Sequence, residues 1–164
     1  MGTHATAWRA QLHEYLSLAV ARAERNETAL AAVFFDVDLF KKGNDRHGHE
    51  AGDRPLAEFA RRWRAIARDG DLLARFGDDE FVLLITDIPR ACAHETATTA
   101  VSRYADALKH PLDLHAIPGE MIEFAVSAGI ALCLTDGTTP DALLLAADAE
   151  MFVRKRAGRS LRLV

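Results

Sequence analysis

The stretch Arg75-Phe76-Gly77-Asp78-Asp79-Glu80-Phe81 decides how the rest of this 164-residue chain is interpreted. Apolar runs flank it at residues 72–74 and 81–85. Short apolar runs around a Gly-Asp pair predict a β-hairpin, with positive φ available to Gly77 and Asp78 at the turn. Consecutive carboxylates at the tip of a buried hairpin repel one another and resist desolvation, so packing gives no reason for them. A divalent cation held by carboxylate oxygens resolves the conflict, and a solvated acidic turn is the alternative.

A second acidic pair ends the first predicted strand. Residues 29–35 form a continuous apolar run, which is typical of a strand buried on both faces, and Asp36-Val37-Asp38 closes it. Charged groups at the end of a buried strand are costly unless they are used, although a solvated strand end is the plainer explanation. Together the two acidic clusters favour a cation site.

The composition limits the class of protein. A chain of 164 residues suits one domain, and at this size roughly 70% of the unfolded chain's surface can be buried. The net charge of −4 argues against a general nucleic-acid-binding surface. Cys92 and Cys133 have no CxxC partner, so we expect buried free thiols in a reducing, cytoplasmic compartment. No apolar run reaches membrane-spanning length, and the N-terminus lacks a signal-peptide pattern.

Hydrophobic periodicity predicts the remaining elements. Apolar residues recur at helical spacing in three segments before the C-terminal region: residues 5–25, 52–68 and 89–110. Residues 39–53 are rich in polar side chains and glycine, which indicates a short helical turn and a loop. Strands are expected at residues 112–116 and 121–134, joined by a turn at 117–120.

A last helix has signals at both ends. Thr139 is expected to be its N-cap, Pro140 fits its first turn, and Gly158 fits a C-terminal cap. Helices that interleave with hairpins predict an α+β domain with a mostly antiparallel sheet.

Several sequence blocks follow one another in a fixed order. They are FDVDLFK at 35–41, ND at 44–45, GH at 48–49, GD at 52–53, RFGDDEF at 75–81, and AD, MF, K and GR within 147–159. This order resembles the GGDEF domain of diguanylate cyclases, over roughly residues 29–160. The resemblance implies a nucleotidyl-cyclase palm-like fold, α+β, with a central mostly antiparallel sheet flanked by helices. Residues 29–164 then form the GGDEF domain, and residues 1–28 form an N-terminal helix that lacks the family's DxLTxLxNR motif.

The resemblance also implies a metal site. Asp36, the Val37 carbonyl and Asp79 match the family's positions for Mg²⁺ or Mn²⁺. Asp79, Glu80 and Lys41 match its catalytic positions.

The nucleotide-binding positions follow in the same way. Asn44 and Asp53 match the residues that read guanine, because an amide and a carboxylate together satisfy a pattern that adenine cannot supply. Gly77 and Asp78 lie in the signature that approaches the nucleotide. Lys41, Lys155 and Arg159 match phosphate contacts.

Another site is implied for the product. Arg68 and Asp71 form an RxxD that is separated from Gly77 by five residues, the spacing of the family's product-inhibition site. An ordinary Arg/Asp helix end is the alternative.

The resemblance implies a function in bacterial cyclic di-GMP signalling. Members condense two GTP into cyclic di-GMP plus pyrophosphate, so a homodimer is needed, with one half-site per subunit. Regulatory domains or an EAL phosphodiesterase domain are expected elsewhere in the full-length protein.

Two departures from the family pattern leave a second hypothesis open. Asp78 replaces the second glycine of the signature, and Gly43 replaces an apolar residue before Asn44. A degenerate GGDEF domain that binds GTP or cyclic di-GMP and regulates a neighbouring domain is therefore the alternative. A different palm-like nucleotidyl cyclase is a third hypothesis. Asn44 and Asp53 argue against it, because they match the positions that read guanine.

Overall fold

The fold is seen in a computed structural model that describes residues 2–42, 50–109, 121–158 and 161–163. Its helices are α1 (Gly2–Arg25), α2 (Glu50–Ile66), α3 (Ala93–Asp106) and α4 (Pro140–Arg156). Its strands are β1 (Thr28–Lys42), β2 (Leu72–Arg75), β3 (Glu80–Pro89), β4 (Met121–Leu132) and β5 (Leu161–Leu163). A single 3-10 turn, Arg90–Cys92, precedes α3.

The strands form one antiparallel sheet in the order β2-β3-β1-β4-β5. β1 lies at the centre, between β3 and β4, as its apolar run predicts. β2 and β3 form the predicted hairpin around the acidic turn. The α+β class with a central antiparallel sheet is confirmed.

Alternate residues of β1 face two different layers of helices. Val33, Phe35 and Val37 belong to one core cluster, together with side chains of α2 and α3. Leu30, Ala32 and Phe34 belong to the other cluster, with side chains of α1 and α4. Asp36 and Asp38 continue the second series, so their carboxylates lie on the face covered by α1 and α4.

Both ends of α4 follow the predicted signals. The Ala142 amide donates to Thr139 Oγ1 at 3.3 Å, so Thr139 is the N-cap. Gly158 has φ +67°, a left-handed conformation that suits glycine just beyond a helix. These caps hold in place the helix whose last turn carries Lys155.

Some sequence predictions were wrong at their boundaries. Residues 39–42, predicted as loop, continue β1, because β4 supplies partners from Leu39↔Phe124 to Lys42↔Met121. The helix predicted for 89–110 begins as the 3-10 turn and becomes α-helical only at Ala93. The predicted strand at 112–116 and turn at 117–120 lie outside the described residues, and β5 was not predicted.

Two predictions from composition can also be compared with the structure. Both cysteines are free, with Cys133 buried and Cys92 only partly so. Across the part of the chain that the structure describes, no helix is long and apolar enough to cross a membrane.

Candidate active site

The two acidic clusters meet at one end of the sheet. β1 and β3 pair so that Asp36 lies opposite Glu80. One step further along, the Val37 amide donates to the Asp79 carbonyl oxygen at 2.9 Å. The structure therefore brings together Asp36, Val37, Asp79 and Glu80, as expected from adjacent strands.

The signature turn, residues 76–79, is closed by main-chain bonds and one arginine. The Phe76 and Gly77 amides both donate to the Glu80 carbonyl, at 2.7 and 3.2 Å. The Arg75 guanidinium donates to the carbonyls of Gly77 (3.2 Å) and Asp78 (2.7 Å). These bonds tie the turn to the strands on both of its sides.

The backbone of this turn differs from the sequence prediction. Neither Gly77 nor Asp78 is among the residues with positive φ. A four-residue loop does not need the left-handed conformations of a two-residue hairpin turn. Asp78 is consequently not strained, and its side chain is exposed.

Gly77 affects the turn through the space that it leaves for a neighbouring side chain. A Cβ at this position would lie 2.6 Å from Glu80 Oε2. The glycine thus leaves room for the Glu80 carboxylate beside the turn, and any side chain there would displace it.

The carboxylate of Asp36 is nearly buried, with only 8% of the residue exposed. Lys155, from the last turn of α4, donates to Asp36 Oδ1 at 2.7 Å and to Asp38 Oδ1 at 2.9 Å. One ammonium group therefore bridges both acids at the end of β1.

Negative charge is concentrated around this lysine. Burial raises the pKa of Asp36, the hydrogen bond from Lys155 opposes that rise, and the charges of Asp38 and Asp79 add to it. The pKa of Glu80 is also raised, first by burial and then by Asp79, Asp36 and Asp148.

Two opposing effects act on the pKa of Lys155. Burial by itself would lower this pKa, but the hydrogen bonds to Asp36 and Asp38 outweigh burial and raise it. Lys155 is therefore held as a cation at this position.

The donor set fits a hard divalent cation that binds together with a phosphate ligand. Asp36, Asp79 and the Val37 carbonyl supply only oxygen ligands, which Mg²⁺ and Mn²⁺ prefer. Among the described residues, no group of three His, Cys, Asp or Glu side chains is arranged to hold a metal. Mg²⁺ is commonly bound through one or two carboxylates plus substrate phosphates, so the two observations agree.

Four of the predicted site residues cannot be compared fully with the structure. Asn44 and Arg159 lie outside the described residues. Lys41 and Asp53 are described by backbone only, in β1 and in the first turn of α2. Their proposed contacts stay predictions.

Comparison with known proteins identifies the family. The sequence model of "Diguanylate cyclase, GGDEF domain" matches residues 7–161. The chain belongs to the GGDEF family. The match includes most of α1, whose buried residues pack in the same core cluster as β1 and α4.

Named relatives of this GGDEF domain come from Pseudomonas aeruginosa. The chain is 38% identical to the bifunctional diguanylate cyclase/cyclic di-GMP phosphodiesterase MucR over 93% of its length, which is 21% of MucR. It is 38% identical to the diguanylate cyclase TpbB over 94% of its length, which is 34% of TpbB. The chain thus spans only about a fifth to a third of these relatives.

A solved structure agrees with the fold. The crystallised GGDEF domain of PA1120 (YfiN or TpbB) from Pseudomonas aeruginosa superposes with a TM-score of 0.81 at 34% identity. The superposition covers 95% of this chain and 92% of that one.

The predicted product site of the GGDEF domain lies on the opposite face of the sheet. Asp71 directly precedes β2, its amide donates to the Arg68 carbonyl at 3.0 Å, and the Arg68 side chain is exposed. Burial raises the pKa of Asp71, and the nearby charges of Arg68 and Arg103 lower it. The Asp71 Oδ2 atom and the Tyr104 hydroxyl are both buried, and neither has a hydrogen-bond partner among the residues that the structure describes. Buried polar atoms without partners are costly, and a bound ion or water is one explanation for them.

Sequence reasoning missed several side chains around the signature turn. Arg9 of α1 lies over the Phe76 ring at 4.7 Å, and Phe76 packs edge-on against Phe34 at 5.1 Å. The charge of Asp148, in α4, raises the pKa of Glu80. The sequence did contain a signal for Asp148, because this residue belongs to the C-terminal AD block. No local pattern links Arg9 to a turn so far along the chain.

A cavity of about 760 Å³ lies at the other end of β1, away from the acids. Thr28, Arg90, Cys92, His94 and Cys133 are among the residues that line it. It contains none of the predicted site residues.

Proposed function

We propose that this GGDEF domain condenses two molecules of GTP into cyclic di-GMP and releases two of pyrophosphate. The observation that carries the proposal is the junction of Asp36 and Val37 with Asp79 and Glu80 at the end of the central strand. Family membership supplies the reaction class, and the junction supplies oxygen ligands where a metal–triphosphate would need them.

The product determines how two domains must meet. Each 3′-oxygen attacks the α-phosphorus of the other GTP, and the bond from that phosphorus to the β-phosphate oxygen breaks. Pyrophosphate leaves with the bonding electrons, and the 3′-hydroxyl gives up its proton. Because the two phosphodiester links are identical, a two-fold homodimer with one half-site per subunit suits the reaction.

The residues have distinct proposed roles. Asp36, Asp79 and the Val37 carbonyl would hold Mg²⁺ or Mn²⁺, and the bound metal would neutralise charge on the triphosphate and lower the pKa of the attacking hydroxyl. Lys41, Lys155 and Arg159 contact phosphate oxygens, and Glu80 stands beside the metal ligands at the reacting end. Asn44 and Asp53 select guanine through its donor and acceptor edge.

Asp78 reduces the rate in this proposal. Its exposed carboxylate lies in the turn where the family has glycine. A carboxylate about 4 Å from a phosphate costs roughly 4 kcal/mol at an effective dielectric near 20. The cost applies to nucleotide binding and turnover, because the turn itself folds without backbone strain.

The same residue favours a second candidate function. If the charge of Asp78 abolishes turnover, the domain binds GTP or cyclic di-GMP and regulates a neighbouring domain, such as an EAL phosphodiesterase. The relative MucR is bifunctional, and the chain covers only part of it.

Product analysis tests the proposal. Purified protein is incubated with GTP and Mg²⁺, and nucleotides are separated by ion exchange and identified by mass. We expect cyclic di-GMP and pyrophosphate in a one-to-two ratio, and no product from Asp79→Asn. A matched control is Asp69→Asn, an exposed acid outside the junction, which should retain activity. Nucleotide binding without any product would establish the regulatory function instead.

A further inference from the structure

Lys155 contacts Asp36, which is a proposed metal ligand, and also the neighbouring acid Asp38. Its Nζ lies 2.7 Å from Asp36 Oδ1 and 2.9 Å from Asp38 Oδ1. The side chain of Asp36 is only 12% exposed and that of Lys155 is 35% exposed. The pair is thus shielded from solvent mainly on the aspartate side.

The acids need a cation when no ligand is bound. Asp36 is repelled by both Asp38 and Asp79. A buried carboxylate surrounded by like charges is unfavourable unless it is paired. Lys155 supplies that charge in the structure.

Its neighbours in α4 are engaged elsewhere. Arg154 donates to Glu150 at 2.7 and 3.0 Å, and Arg156 lies over the Phe152 ring at 5.6 Å. Met151, one turn earlier, is buried in the core and anchors the helix against the sheet. Lys155 is therefore positioned by its helix, while its four-carbon stem lets the ammonium move without moving the helix.

We propose that Lys155 is the resident counter-ion of Asp36 and Asp38, and that it is exchanged for a divalent cation only when a triphosphate arrives to receive it. The inference rests on the proposed function, since it assumes that Asp36 is a metal ligand. An ammonium hydrogen-bonded to Asp36 Oδ1 and a metal ion bound to the same carboxylate compete for it, because both are cations and repel each other at this distance. The ammonium of Lys155 then moves from two carboxylates to phosphate oxygens, which are equally good anionic acceptors.

The exchange has a specific consequence for binding order. Without nucleotide, a metal ion must displace Lys155 into water, so it binds weakly. With nucleotide, the displaced lysine gains a new partner, so metal and triphosphate bind together. Lys155 therefore opposes binding of the metal alone and assists binding of the metal–nucleotide complex.

The test compares Mn²⁺ binding with and without GTP, by calorimetry and by loss of the free Mn²⁺ electron paramagnetic resonance signal. Lys155→Met should bind Mn²⁺ alone roughly tenfold more tightly than wild type, because the competing cation is gone. The same variant should bind Mn²⁺–GTP more weakly than wild type. Arg156→Met is the matched control: it removes the same charge from the same helical turn and should change neither affinity much.

A tighter Mn²⁺ affinity in Lys155→Met together with weaker Mn²⁺–GTP binding supports the exchange. Unchanged or weaker binding of Mn²⁺ alone overturns it, as does an equal gain in Arg156→Met. Lys155→Gln removes the charge while keeping a polar side chain and should also bind Mn²⁺ alone more tightly than wild type, so it decides the question if Lys155→Met does not fold. If no variant binds GTP, the proposed function fails, while the Mn²⁺-alone comparison still tests the counter-ion role.

Discussion

The amide of Val37 donates a hydrogen bond to the carbonyl oxygen of Asp79 at 2.9 Å. This bond joins the end of the central strand to the signature turn through main-chain atoms alone. The two segments proposed to bind a metal are thereby held together independently of their side chains. Substitutions of the carboxylates should consequently change ligand binding with little effect on the fold.

The first prediction is that GTP binding depends on a metal held by Asp36. Asp36→Asn should weaken Mg²⁺-dependent GTP binding by roughly tenfold or more, because a neutral amide is a poorer ligand for a hard cation. Calorimetric titration of GTP with and without Mg²⁺ measures the effect.

Asp38→Asn is the matched control for this experiment. Asp38 shares the contact with Lys155 but is not a proposed metal ligand. It should retain most of the Mg²⁺ dependence. GTP binding that needs no metal and is unchanged in Asp36→Asn would count against the metal site.

The second prediction concerns the choice of base. Asn44 and Asp53 should give a preference for GTP over ATP of roughly a hundredfold or more, since a site built to hydrogen-bond one base rejects another. Asp53→Ala should reduce this preference by weakening the binding of GTP, not by strengthening the binding of ATP. Competition binding against a fluorescent GTP analogue measures both affinities, and equal affinities in the wild type would remove the guanine assignment.

The third prediction concerns the product. Arg68→Ala should weaken cyclic di-GMP binding by roughly tenfold or more, because a guanidinium gives charge-assisted bonds to phosphate and guanine. GTP binding should be unaffected, since Arg68 lies apart from the acidic junction on the opposite face. Arg64→Ala, which removes an exposed arginine of α2 outside the RxxD, should leave dinucleotide affinity unchanged. Equal affinities for wild type and Arg68→Ala would show that the RxxD match is accidental.

The fourth prediction links the same site to stability. The pKa of Asp71 is raised in the folded protein, chiefly by burial, above its ordinary value of 3.8. The folded state therefore binds this proton more tightly than the unfolded state, and ionising Asp71 lowers stability as the pH rises through the raised pKa. At neutral pH, Asp71→Asn should increase the free energy of unfolding, because the amide carries no charge that burial disfavours.

The stability gain should disappear on acidification. Towards pH 3.8, wild-type Asp71 becomes protonated and loses its unfavourable charge, so the two proteins should converge. Denaturant titrations at neutral and acidic pH measure the difference. A variant that is less stable than wild type at neutral pH would show that the nearby arginines outweigh burial.

Much of the fold could be predicted because its signals are local. The apolar run of β1, the hairpin around the acidic turn and the caps of α4 each depend on neighbouring residues. The true length of β1 could not be predicted, since strand pairing with β4 overrides the loop-like composition of residues 39–42. Likewise, the turn signal at Gly77 was interpreted as a positive φ, whereas the glycine leaves room for the Glu80 side chain.

The candidate site, like the fold, could be predicted only in part. Adjacent strand ends were enough to bring Asp36 and Asp79 together. The bond between Lys155 and Asp36 joins residues 119 positions apart, and no periodicity predicts it. The same holds for Arg9 over Phe76, because it depends on how α1 packs on the sheet.

The central claim is that this domain makes cyclic di-GMP and that Asp78 limits its rate. The turn has no positive φ at Asp78, so Asp78→Gly relieves no strain and should lower the free energy of unfolding by at most about 1 kcal/mol, through backbone entropy. Asp78→Asn keeps most of the bulk and removes the charge. It should therefore recover most of the rate that the glycine variant recovers, if charge is the cause.

The most direct measurement is the initial rate of cyclic di-GMP synthesis by wild type, Asp78→Gly and Asp78→Asn, at saturating Mg²⁺ and several GTP concentrations. We expect slow synthesis by wild type, and an increase of roughly a hundredfold in the glycine variant. This increase is smaller than the full electrostatic cost of a carboxylate beside a phosphate would give, because Asp78 is exposed. A wild type that is already fast, with a glycine variant that is no faster, would contradict the claim that Asp78 limits the rate. No synthesis by any of the three proteins would contradict the cyclase assignment itself.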